Sequence, residues 1–171
     1  MPVRPPLVLT GPPAVGKSSA ARSLAAARER CSVIEVDDLR QLVRAGPVAP
    51  WEGDAGARQR LLGVRNACAL AANFLAEEID VVITDVLTPD TTAVYRELLP
   101  GCRVVRLSAP LDEARRRDAT RTQWLTAAEF DALHRDDRQR PPPVDGTIEV
   151  GALDPSQQAA AIERCWAEHA G

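Results

Sequence analysis

The stretch LVLTGPPAVGKSSAARSL, residues 7–24, decides how the rest of the chain is read. A short apolar run passes through a Gly/Pro turn into a helix-like segment, and the turn spells Gly-x-x-x-x-Gly-Lys-Ser from Gly11 to Ser18. With Gly at about 7% of residues and ordinary usage of the other types, roughly 0.006 chance matches are expected in a chain of this length. A strand before the string and a helix after it are what a phosphate cradle requires, because successive backbone N–H groups and the helix N-terminus then converge on one anion. Pro12 and Pro13 have no N–H to give. The donors are therefore expected from Ala14, Val15, Gly16, Lys17, Ser18 and Ser19. Lys17 is placed to bridge β- and γ-phosphates, and the Ser18 hydroxyl to ligate Mg²⁺.

Composition sharpens this reading. Of 21 basic residues, Lys17 is the single lysine and the rest are arginine. A slim point charge reaches between phosphates where a planar fork does not. The exception to the arginine habit thus falls where lysine chemistry is wanted.

At 171 residues, with 45% hydrophobic and 26% charged residues, the chain reads as one soluble globular domain. A net charge of -3 and 4% aromatics give no footing for a nucleic-acid groove. Cys31, Cys68, Cys102 and Cys165 are widely spaced and read as small buried hydrophobes in a reducing, cytoplasmic compartment. The opening MPVRPPLVLTG lacks the apolar length of a signal peptide, and no run reaches the ~20 residues that span a bilayer.

Apolar, β-branched runs at 7–10, 32–36, 81–86, 103–109 and 147–150 alternate with helical stretches at 17–29, 39–45, 55–79, 91–99, 111–121, 127–137 and 156–169. Continuous apolar strands between helices predict a parallel sheet buried on both faces, in a three-layer α/β domain. Asp38-x-x-Gln41 and Thr126-x-x-Glu129 have capping-box spacing, and Asp154-Pro155 suits an N-cap followed by a first-turn proline.

Asp85 ends the apolar run VVITDV, and a carboxylate on a buried strand is costly unless it has a partner. It either serves the metal or caps the following turn. In IEVDDLRQL, Asp38 has an explanation as a cap, which leaves Asp37 as the functional candidate. Ligands of open α/β sheets sit outside the carboxyl ends of the strands, where both Asp37 and Asp85 emerge.

GPPAVGKSS resembles the loops of small P-loop kinases, the group of adenylate-, shikimate- and gluconate-kinase-like enzymes, and most of all the chloramphenicol phosphotransferase-like members. The resemblance implies the P-loop NTPase fold, a five-stranded parallel sheet in the order 2-3-1-4-5 with helices on both faces. It implies a single domain over 1–171 with a lid region at 111–140. Ala14-Val15 stands where the group commonly has Gly-Ser, and Ala14 is expected to avoid positive φ.

By this likeness Asp85 would be the Walker B aspartate of the Mg²⁺ shell, and Asp37 the base on an acceptor hydroxyl. Lid arginines among Arg115, Arg117 and Arg121 would neutralise the transferring phosphoryl group, and the alternative is a solvated helix face. Residues 151–154 would flank adenine. Trp51 either walls an acceptor pocket or packs under a loop. Arg40, Arg44, Arg58 and Arg65 are candidates for an anionic acceptor or are surface charge. His134, His169, Trp124 and Trp166 read as structural. The implied activity is ATP-dependent transfer of the γ-phosphate to a hydroxyl of a small molecule, an antibiotic or other metabolite. A nucleoside or nucleotide kinase and a slow ATPase switch are the other readings.

Overall fold

The computed structural model describes residues 4–120, 122 and 125–167. In chain order the elements are β1 (Leu7–Thr10), α1 (Lys17–Ala26), β2 (Cys31–Glu35), α2 (Val36–Arg40), α3 (Gly53–Ala76), β3 (Asp80–Thr84), α4 (Pro89–Leu98), β4 (Arg103–Ser108), α5 (Leu111–Asp118), α6 (Ala127–Gln139), β5 (Gly146–Glu149) and α7 (Pro155–Ala167). The five strands are parallel, in the order β2-β3-β1-β4-β5. This is the order that the resemblance to small P-loop kinases implies.

Strand alternation sorts side chains onto two faces, because successive Cβ atoms point oppositely. Val8, Ile34, Val81, Ile83 and Val104 pack with Val64, Ala67 and Ala71 of α3 and Tyr95 of α4. Leu7, Leu9, Val82, Val105 and Leu107 pack on the other side with Ala21 and Leu24 of α1 and Ile162 and Trp166 of α7. Two buried faces explain why the strands read as continuous apolar runs.

Two of the three expected capping signals operate. Thr126 Oγ1 accepts from the Glu129 N–H while Glu129 accepts from the Thr126 N–H, a reciprocal box. Asp154 accepts from the Gln157 N–H at 2.8 Å, with Pro155 as the first helical residue. The third does not. The α2 helix starts at Val36, with Glu35 as its N-cap, so Asp38 lies inside the helix and Asp37 in its first turn. Val36 is fully buried, and anchoring it starts the turn three residues earlier than capping spacing suggests. The helix then stops at Arg40 instead of running to 45.

Candidate active site

The phosphate loop is set by backbone conformation before any side chain acts. Gly11 has φ 135, and a Cβ there would stand 2.2 Å from the Leu107 carbonyl oxygen, so only glycine fits. Gly16, at φ 97, caps the start of α1. Ala14 has φ 62, which corrects the expectation that it avoids positive φ. Alanine at this left-handed position carries a conformational cost of about 1–2 kcal/mol. Lys17 Nζ donates to the carbonyls of Gly11 (2.8 Å) and Pro12 (2.9 Å), holding the proline half of the loop against its own helix. Gln158 of α7 lies against Gly16, and its Nε2 is buried without a hydrogen-bond partner among the described residues.

The partner of Ser18 is a residue that sequence reasoning passed over. Ser18 Oγ donates to Glu35 Oε2 at 2.6 Å, and Arg22 holds the other Glu35 oxygen at 3.1 Å. Glu35 ends β2, one strand away from the position expected of the metal carboxylate. Asp85 is elsewhere. Its side chain is 0% exposed; Oδ1 accepts from Arg40 Nη2 (2.9 Å) and the Val86 N–H (2.8 Å), and Oδ2 from the Tyr95 hydroxyl (3.2 Å). In this structure both Asp85 oxygens thus accept from protein donors, and Ser18 is paired with Glu35 instead of Asp85. Burial raises the Asp85 pKa by more than Arg40 lowers it.

Arg40 is the link between the two aspartates. Its Nη1 donates to Asp37 Oδ1 at 2.7 Å while Nη2 holds Asp85, and its Nε is buried without a partner among the described residues. Asp37 itself is 76% exposed and lines the same cleft as Lys17 and Ser18. A rigid, buried fork thus orients an accessible carboxylate.

That cleft encloses about 1410 Å³. Trp51 lines it at 47% exposure, so it is not packed away beneath a loop. Arg60 lines it as well, and was not singled out in the sequence. Leu153, from the expected 151–154 loop, lines the cleft too.

The arginine-rich segment divides. Arg117 lines the cleft, tied to Glu113 at 2.8 Å and to the Val150 carbonyl at 3.3 Å. Arg115 instead makes a two-oxygen contact with Asp131 of α6 and is not among the cleft-lining residues. The i,i+4 partner Arg121 lies outside the described residues, as do Trp124 and His169. Arg140, at the end of α6, lines the cleft in addition.

The family model described as an AAA domain matches residues 7–140, so the chain belongs to that family. Comparison with curated proteins finds no match. Among solved structures, the fold is shared with an unliganded sugar kinase from Janibacter sp. HTCC2649 (TM-score 0.73, 18% identity, 96% of this chain and 94% of that one). It is shared also with a shikimate kinase from Acinetobacter baumannii in complex with shikimate (0.67, 22%, 95% and 93%). A gluconokinase from Sinorhizobium meliloti 1021 is similar too (0.65, 20%, 96% and 95%). At these identities the likeness establishes the P-loop NTPase fold. No helix among the described residues is long and apolar enough to cross a membrane.

Proposed function

We propose that this protein is an ATP-dependent phosphotransferase that moves the γ-phosphate to a hydroxyl group of a small molecule, an antibiotic or another metabolite. The observation that carries this reading is Asp37, an accessible carboxylate held by Arg40 in the cleft that also contains the phosphate loop. A carboxylate in this position can take the proton of an attacking hydroxyl as that oxygen approaches the γ-phosphorus.

The loop N–H groups from Ala14 to Ser19 hold the phosphates, and Lys17 exchanges its carbonyl contacts for β- and γ-phosphate oxygens. Mg²⁺ uses one or two protein oxygens, keeps waters and takes the rest from substrate phosphates. The Ser18–Glu35 pair, two oxygen donors at the cleft, fits that requirement. Held by these two side chains, Mg²⁺ would supply positive charge to the nucleotide phosphates. Asp37 takes the proton of the acceptor hydroxyl as that oxygen attacks phosphorus, and the bond to the ADP oxygen breaks. Arg117 and Arg121 supply positive charge to the transferring group.

The reading is tested by measuring ADP release against nucleosides, sugars, shikimate-like acids and hydroxylated antibiotics. Release should rise with an acceptor and be lost in Lys17→Ala. Turnover indifferent to every acceptor would replace the transferase by a nucleotide switch.

A further inference from the structure

The lid helix α6 reaches back to the phosphate loop through one buried side chain. His134 is 2% exposed, packs against Phe130 with ring centroids 4.6 Å apart, and places Nε2 3.0 Å from the Pro13 carbonyl oxygen. Arg106 of β4 pairs with Asp137 on the same helix, so the histidine approaches from an anchored element. A carbonyl accepts, so Nε2 must carry the proton.

That carbonyl belongs to the peptide joining Pro13 to Ala14. Rotation of this peptide about the Ala14 N–Cα bond is φ of Ala14, the left-handed angle of 62° found in the loop. The peptide is trans, since no cis bond occurs among the described residues, so the Ala14 N–H points opposite to the Pro13 carbonyl. Lys17 holds the two preceding carbonyls, Gly11 and Pro12. Three successive carbonyls of the loop are thus held by side chains, and the third by a helix more than a hundred residues away.

We propose that His134 is a positioning residue of the phosphate cradle: by holding the Pro13 carbonyl it keeps Ala14 in its left-handed conformation and aims the Ala14 N–H at the nucleotide phosphate. Glycine would adopt this angle unaided. The alanine needs a hold, and the lid provides it. This rests on the reading of residues 11–18 as a nucleotide-phosphate site. Burial pushes the His134 pKa below its ordinary value, by more than the Pro13 carbonyl raises it, so a neutral imidazole makes the contact near neutral pH.

A double-mutant cycle tests it, with ATP affinity measured by titration calorimetry. His134→Phe keeps an aromatic ring against Phe130 but removes the donor, and is expected to weaken ATP binding about tenfold, the scale of one buried hydrogen bond. Ala14→Gly removes the conformational cost, so in the Ala14→Gly background the same His134 change should cost less than about threefold. Equal costs in both backgrounds, or no cost in the first, would overturn the proposal. Failure of the unmutated protein to bind ATP would overturn the underlying reading instead, and this inference with it. Should His134→Phe not fold, ¹⁵N NMR of the unmutated protein decides: the Nε2-protonated tautomer is expected, and the Nδ1-protonated tautomer contradicts the contact.

Discussion

Ser18 and Glu35 meet at 2.6 Å across the top of the sheet, hydroxyl to carboxylate. This pair, and not Ser18 with Asp85, joins the phosphate loop to an acidic neighbour. Glu35→Gln should therefore lower the affinity for Mg²⁺–ATP by about tenfold or more, while metal-free nucleotide binds nearly as before. Parallel titrations with and without Mg²⁺ read the difference directly. An Asp85→Asn variant showing the larger metal-specific loss would return the metal role to Asp85.

Asp37 is expected to matter for transfer and not for nucleotide. Asp37→Asn should leave the ATP dissociation constant within about twofold and reduce phosphotransfer by ~10²–10⁴-fold, the range for loss of a general base. Affinity and turnover measured on one preparation check both halves. Loss of fold in this variant would assign Asp37 to structure, although its 76% exposure argues otherwise.

Arg40 is 14% exposed and faces Asp85 at 0%, so removing it strands a carboxylate in the interior. Arg40→Met is expected to destabilise the fold by about 3–5 kcal/mol in urea denaturation near neutral pH. The sign of the pH dependence follows from Asp85. Burial, its largest influence, already raises its pKa, and loss of Arg40 raises it further. A carboxyl whose folded pKa lies above its unfolded one supports the fold below the unfolded pKa, and that support is lost as pH rises through the folded value. The deficit should be smaller at about pH 5 than at about pH 8. A deficit independent of pH would mean that Asp85 is not the group left uncompensated.

Much of the framework was legible because local chemistry and tertiary structure agree. VVIT is apolar on both faces because the sheet is covered on both, and Thr126 and Glu129 cap each other within four residues. The loop motif was legible for the same reason: its glycines answer local backbone demands. The failures lie where a long-range contact overrides a local pattern. Asp38 has cap spacing, yet the buried Val36 starts the helix first. The contact between Asp85 and Arg40, 45 residues apart, has no local sequence signal. Glu35 had a visible signal, a carboxylate two residues before Asp37 on an alternating strand, while His134 and Pro13, 121 residues apart, left none.

The central claim is transfer of phosphate to a hydroxyl, and the fate of the phosphorus tests it most directly. The protein is incubated with ATP labelled at the γ-phosphate and with a panel of small hydroxyl compounds, and the labelled products are separated. Label in a phosphate ester of one acceptor, with one ADP formed per ester and none in Lys17→Ala, is the expected result. Label appearing only as inorganic phosphate, at a rate no acceptor changes, would contradict it.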